Sequence, residues 1–397
     1  MDSETSYTLA KKILAIASFF APFFIIFPTN LGIYELLLLL SFSLFIYSGK
    51  ENKKVGVNST QMYFFIGLLL LATGYLISSI PAEDTLEALK FPAQALIISF
   101  QALLLFLLVD TEEDLRNHAV ALTGSSVAIS AYYMLGRILQ LDIYSGSGRL
   151  ELFYGSPNAL AIILVVILPL SILLSVQFRE SKSIFTAFLL QSVIILYLII
   201  QTLSRAALIS SFMILLLLLM TNFTLSYPTR MQLVTRGTLG ASVGILFVIG
   251  LLVGFVPSQP LERFYQTLTG ERSIGRIDLF YHAMGDIIQS PLLGVGYNHY
   301  QIDGSSSHNI ILSPFTEGGL IAGIGVIIII SYLLINFKNI CFDKSSYPGP
   351  VKLSFIYSSL GYILVSTFMN LYVLRYVWLV IILGYVSIEY SAQGTDF

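Results

Sequence analysis

The sequence has few charged residues and one cysteine. Charged side chains make up 11% of the 397 residues and apolar ones 56%, with a mean hydropathy of +0.81. A soluble domain is about 25% charged, so this composition excludes an ordinary soluble protein. The single Cys341 excludes an internal disulfide. The net charge of −2 gives no overall field that would favour nucleic acid as a partner.

Long hydrophobic runs account for nearly the whole chain. A bilayer-spanning helix needs about 20 predominantly apolar residues, and about 12 such runs are present. They predict an all-α polytopic membrane protein with a single transmembrane domain over 1–397. The runs lie near 12–28, 31–48, 60–80, 91–109, 117–139, 158–177, 184–203, 205–223, 237–256, 309–336, 353–371 and 372–390.

The basic residues orient these predicted helices. With both termini in the cytoplasm, most lysines and arginines fall in cytoplasmic loops, as the positive-inside rule requires. Two long outer segments follow, 140–157 and the periplasmic loop 257–308 between predicted helices 9 and 10, and a loop of that length is usually functional. The basic residues left outside need another reason to be there. They are Lys90, Arg137, Arg149, Arg205, Arg263, Arg272, Arg276 and Arg375.

Two of these arginines lie where a helix is predicted to begin. Arg205 separates two long apolar runs, which puts its guanidinium at the membrane interface, where it snorkels, forms an ion pair or binds an anion. Arg276 follows Gly275 at the start of a helical pattern, where a guanidinium and the positive end of a helix dipole would favour a phosphate.

The pattern after Arg276 predicts a short amphipathic helix within the large outer loop. Its apolar positions are Ile277, Phe280, Tyr281, Met284, Ile287 and Ile288, and its polar positions are Asp278, His282 and Asp286. Pro291 is predicted to end the helix, and Gly294-Val-Gly296 to form a turn with unusual backbone angles. His308 follows, close to the outer start of the tenth predicted span.

No metal or cofactor is expected. The spacing of His282, His299 and His308 fits no compact set of metal ligands. The glycines that follow His308 are interpreted as a close helix-packing face rather than a phosphate loop. These glycines are Gly318, Gly319, Gly323 and Gly325.

Several short segments follow one another in an order typical of one known family. They are Gly155-Ser-Pro-Asn158, Ser204-Arg-Ala206, Gly275-Arg276, Ser290-Pro-Leu-Leu-Gly-Val-Gly296, His308-Asn309 and Glu317-Gly-Gly-Leu320. This series resembles the O-antigen ligase and polymerase superfamily of bacterial envelope glycosyltransferases. Ser156 stands where that family often has Asn.

The resemblance implies a GT-C-type enzyme in the bacterial inner membrane with its active site facing the periplasm. Such an enzyme moves a glycan from undecaprenyl diphosphate to lipid A-core, with inversion and without metal or nucleotide. By the same resemblance, the candidate catalytic residues are Arg205, Arg276 and His308. The candidate residues for binding diphosphate or glycan are Arg149, Asn158, Tyr297, Asn298, His299 and Asn309.

Three other functions remain as alternatives. A polymerase would extend the lipid-linked glycan, with a second lipid-linked glycan as the acceptor, and would need the same diphosphate site. A protein O-oligosaccharyltransferase is a further relative, disfavoured because no additional domain follows the last predicted helix. A transporter of an anionic lipid or solute would require inward ionisable residues near the membrane midplane. Glu35, Arg137 and Glu317 are too few and too peripheral to support it.

Overall fold

The computed structural model describes residues 2–26, 32–49, 59–82, 84–146, 148–224, 274–297, 309–342, 349–367 and 375–392. Over these residues the chain is helical apart from turns and one isolated bridge between Tyr144 and Leu150, which confirms the all-α prediction there. The helices are α1 (Ser3–Phe20), α2 (Ile33–Tyr47), α3 (Ser59–Ser78), α4 (Thr85–Ala88), α5 (Lys90–Leu108), α6 (Glu112–Ile138), α7 (Pro157–Gln177), α8 (Lys182–Gln201), α9 (Arg205–Thr224), α10 (Ile274–Gln289), α11 (Leu312–Phe342), α12 (Pro350–Ser366) and α13 (Arg375–Ala392).

These helices follow the hydrophobic runs of the sequence. Among the described residues, six helices are long and apolar enough to cross a membrane: α3, α5, α6, α7, α8 and α11. Every predicted run overlaps a helix except 237–256, which lies outside the described residues. The first helix begins before its hydrophobic run, which lies near 12–28. Helix α1 begins at Ser3 because the Asp2 carboxylate accepts a hydrogen bond from the backbone N–H of Thr5 (2.7 Å).

Helix α7 lies at the centre of the bundle. In its most apolar 18-residue window, 94% of the residues are buried. This burial suits α7, because a helix that is apolar on every side has no polar face that must contact water. Helices α6, α8, α9 and α12 pack around α7, and α3 packs along α11.

Glycines allow α3 and α11 to approach closely. A Cβ atom on Gly325 would lie 2.5 Å from the carbonyl oxygen of Gly67, so neither residue has room for a side chain. The predicted packing face is thus confirmed at Gly325. It was wrong at Gly323, which faces Phe315 of its own helix, and at Gly319, where α11 is broken and contacts a loop instead.

The bundle has two distinct ends. At one end, where α1 and α6 begin, Lys11 forms ion pairs with Asp110 and Asp114. At the opposite end, α7, α9 and α11 begin. There, the N–H of Ile310 donates to the carbonyl oxygen of Ser366, which ties the start of α11 to the end of α12. We call this second end the site end, because the predicted site residues that the structure describes lie at it.

Candidate functional site

Arg149 connects two helices at the site end. Its Nε donates a hydrogen bond to the carbonyl oxygen of Thr202 (2.9 Å), and its Nη2 donates one to Oδ1 of Asn158 (2.7 Å). Thr202 follows α8, and Asn158 lies in the first turn of α7. The planar guanidinium therefore bridges the two helices with two directed bonds. Two candidates from the sequence, Arg149 and Asn158, are direct partners.

The backbone around Arg149 is fixed as well. The N–H of Ser145 donates to the carbonyl oxygen of Arg149 (2.8 Å), which closes a turn. The N–H of Leu150 donates to the carbonyl oxygen of Gln201 at the end of α8 (3.0 Å). The segment before α7 is thus held against the turn that joins α8 to α9, and the Arg149 side chain starts from a defined position.

Arg205 is the first residue of α9. It directly follows the short turn at Thr202 that Arg149 contacts. Ser204 precedes it, and its Oγ accepts a hydrogen bond from the N–H of Ala207 (3.4 Å), as a helix cap does. Leu203 has a φ of +53°, a left-handed conformation that leucine rarely adopts. Strain of this kind is often kept at functional sites, and here it makes the short connection between α8 and α9 possible.

The start of α7, the start of α9 and the Arg149 side chain therefore share one region. Helix α7 begins at Pro157 after Ser156, whose Oγ accepts from the N–H of Ala159 (3.5 Å), and α9 begins at Arg205. A helix N-terminus carries a partial positive charge of about half an elementary charge and donor N–H groups. Arg149 and Arg205, both half-buried, add full charges. We call Arg149, Asn158 and Arg205 the arginine cluster. Its chemistry suits a phosphate or diphosphate.

A second region at the site end is built from backbone. The loop 290–297 is inserted into a break of α11 at Gly319 (φ +68°, ψ −168°). Loop N–H groups donate to the α11 carbonyl oxygens beside the break, which satisfies backbone groups that a continuous helix would pair internally. These bonds join Val295 to Thr316 (2.8 Å) and Gly296 to Glu317 (2.9 Å), while Leu320 donates to Pro291 (2.9 Å).

Two glycines make this insertion possible. A Cβ atom on Gly319 would lie closer than 3.0 Å to the carbonyl oxygen of Leu292, and one on Gly294 would lie equally close to the carbonyl oxygen of Glu317. Gly294 and Gly296 have φ values of +72° and +94°, which confirms the predicted turn. We call the contact between Gly294 and Gly319 the glycine junction.

A buried carboxylate lies beside the glycine junction. Glu317 is 1% exposed, and the Tyr75 hydroxyl donates a hydrogen bond to its Oε2 (2.6 Å). The Tyr75 ring packs on Phe91, with centroids 4.3 Å apart, and Tyr297 stacks on Phe91 at 6.4 Å. No pattern in the sequence predicts that Tyr75 is the partner of Glu317, because the two are far apart in the chain. An acidic residue inside an apolar run was the one available signal.

Asn309 caps α11. Its Oδ1 accepts hydrogen bonds from the N–H groups of Ile311 (2.9 Å) and Leu312 (3.0 Å), and its Nδ2 donates to the carbonyl oxygen of Thr367 (3.0 Å). The side chain thus holds the start of α11 against the end of α12. Its predicted contact with substrate stays a prediction.

The remaining candidates fall partly or wholly outside the described residues. Asn298, His299 and His308 lie outside them, and Arg276 lies in the first turn of α10 with a side chain that is not described. The structure therefore pairs Arg149 with Asn158, puts Arg205 three residues after Thr202, which Arg149 also contacts, and puts Tyr297 and Asn309 near the start of α11. Within the described ranges, no group of three or more His, Cys, Asp or Glu residues is placed to hold a metal ion.

Comparisons of the chain with protein-family models, with curated proteins and with solved structures found no match. The resemblance to O-antigen ligases therefore depends on the motif residues themselves.

Proposed function

We propose that this protein is an O-antigen ligase-like glycosyltransferase that moves a glycan from undecaprenyl diphosphate to lipid A-core. The observation that carries the proposal is the arginine cluster, in which Arg149, bonded to Asn158, and Arg205 share a region with the N-termini of α7 and α9. A diphosphate is the part of such a donor that needs positive charge. The long apolar helices suit a substrate that is anchored in lipid.

The proposed role of the cluster is to stabilise the leaving group. As the bond between the sugar and the diphosphate breaks, negative charge accumulates on the phosphate oxygens. Arg149 is already oriented by Thr202 and Asn158, so it needs little reorganisation when that charge develops. Removing one such electrostatic donor typically lowers the rate about 100- to 1,000-fold. No metal is required for this step.

The large loop and the residues after it act on the acceptor. In this proposal, His308 accepts the proton of the acceptor hydroxyl or orients that hydroxyl, which attacks the sugar from the side opposite the diphosphate and inverts the anomeric centre. Arg276 supplies a further guanidinium to the diphosphate. Both roles come from the family resemblance. His308→Ala and Arg276→Ala proteins are expected to fold normally and to lose transfer.

We further propose about 12 spans in the bacterial inner membrane, with both termini in the cytoplasm and the site end in the periplasm. The distribution of basic residues supports this orientation, because the end of the bundle opposite the arginine cluster carries many of them. Those in the described residues include Lys11, Lys12, Arg116, Arg179 and Lys182. In this orientation 257–308 is a periplasmic loop.

Product identity tests the proposal. Purified protein in lipid nanodiscs is incubated with undecaprenyl-diphosphate glycan and lipid A-core. The lipid products are then separated, and their masses are measured by mass spectrometry. The proposal predicts glycan joined to lipid A-core. A longer lipid-linked glycan would identify a polymerase instead. Unchanged donor would contradict the proposal. Passage of the intact lipid across the membrane of proteoliposomes, measured separately, would then identify a transporter.

A further inference from the structure

Helix α10 exposes four of its apolar side chains. Phe280 is 48% exposed, Tyr281 68%, Met284 36% and Ile288 74%. Successive positions are one, three and four residues apart, a spacing that puts all four on one continuous stripe of the helix. We call these four residues the apolar stripe. In a soluble domain such a stripe would be packed against the core.

The other two sides of α10 have different surroundings. Ala283 and Asp286 are buried, at 4% and 7% exposure, and form the side that faces the protein. Asp278 and His282, one turn apart, are exposed and form a polar side. Asp286 was predicted to lie on the polar side with Asp278 and His282. That prediction was wrong, because Asp286 lies on the side that faces the protein. The pKa of this carboxyl group is raised above its ordinary value because burial disfavours the charged form, and the nearby His282 offsets only part of that effect. Helix α10 thus has a protein side, a polar side and an apolar side.

The position of α10 indicates what covers the apolar stripe. The helix packs on α11 and leads into the loop that is inserted near the start of α11. Helix α11 is one of the helices apolar enough to cross a membrane, and it exposes an apolar row of its own at Leu320, Ile324 and Ile327. Helix α10 therefore lies beside the end of a helix whose exposed row suits lipid. At that level a bilayer changes from acyl chains to head groups, and a three-sided helix suits that boundary.

We propose that the apolar stripe inserts into the lipid interface of the leaflet in which α11 begins, so that α10 is an interfacial anchor. Leu292 and Leu293, 64% and 46% exposed, extend the apolar surface beyond the end of the helix. A second copy of the chain is a poorer occupant, because stable protein interfaces use about 20–30 residues on each side and this surface offers far fewer. The anchor holds both ends of α10, including Arg276, at a fixed depth.

Site-directed spin labelling tests this insertion without relying on enzymatic activity. In a Cys341→Ser background, a nitroxide is attached at Tyr281→Cys or Ile288→Cys on the apolar stripe. Matched controls carry the label at Asp278→Cys or His282→Cys on the polar side of the same helix. In lipid nanodiscs, the accessibility of each label to oxygen and to a water-soluble nickel chelate is measured by power saturation.

At positions 281 and 288, we expect the label to be more accessible to oxygen than to the nickel chelate, as it is in lipid. At positions 278 and 282, we expect the reverse, as it is in water. Equal access of the nickel chelate to all four labels would show the stripe in water and overturn the proposal. Labels at 281 and 288 that are shielded from both reagents would show a protein partner and would also overturn it. Because no glycan transfer is measured, this outcome is independent of the proposed function.

Discussion

The arginine cluster and the glycine junction lie at the same end of the bundle, but they are built in opposite ways. The arginine cluster depends on side chains, chiefly the two hydrogen bonds of Arg149. The glycine junction depends on backbone contacts between the loop and α11, with no room for a Cβ atom at Gly294 or Gly319. A side-chain site can lose its chemistry while the fold survives. A backbone junction cannot be changed without moving the chain, so we expect it to govern folding.

Substitution at the glycine junction should have the largest effect. Gly319→Val combines a left-handed φ, which costs about 1–3 kcal/mol for a residue with a side chain, with a clash against the Leu292 carbonyl group. We expect little folded protein by fluorescence-detected size-exclusion chromatography. Gly285→Ala in α10 is the matched control, because a Cβ atom there meets nothing within 4 Å. Equal yields from the two variants would contradict a structural role for the junction.

Asn158→Asp should separate stability from activity at the arginine cluster. The new carboxylate would lie where the Oδ1 of Asn158 accepts from Arg149 (2.7 Å), so it would form an ion pair and keep the contact. The same negative charge would repel a diphosphate. We expect an unchanged or higher melting temperature, with transfer lowered about 100-fold or more. Arg149→Lys, which keeps the charge and loses the planar fork, should lower both. Undiminished transfer by Asn158→Asp would argue against an anion site.

Tyr75→Phe should have a moderate effect confined to stability. The substitution removes the hydroxyl that donates to the buried Glu317 carboxylate (2.6 Å). Losing a donor to a buried polar group costs about 1–3 kcal/mol, which thermal unfolding in detergent would detect. Glu317→Gln keeps an acceptor oxygen for Tyr75 and should cost less. If Glu317→Gln were the more damaging of the two, the carboxylate would have a role beyond this bond.

His282→Ala should have the smallest effect. His282 is exposed on the polar side of α10 and belongs to neither region. We expect the wild-type melting temperature and transfer rate, measured with the assay used for the other variants. A large loss of transfer would show that the site extends along α10.

Hydropathy predicted the helices because each long apolar run can satisfy its backbone only as a helix. The turn at Gly294 was also predictable, since the spacing of two glycines marks positions that adopt positive φ. The contact between Arg149 and Thr202 was not, because it joins residues from separate segments of the chain. The direction of the apolar stripe was equally hidden, since periodicity shows that a helix has an apolar side but not whether protein or lipid covers it.

The most direct test of the arginine cluster is the rate of glycan transfer by Arg205→Ala protein. Arg179→Ala provides the matched control, because Arg179 is an exposed arginine at the opposite end of the bundle. Both variants are assayed in nanodiscs with undecaprenyl-diphosphate glycan and lipid A-core. We predict that Arg179→Ala transfers glycan at the wild-type rate, whereas folded Arg205→Ala protein is slower by about 100- to 1,000-fold. Equal rates for the two variants would contradict the diphosphate site.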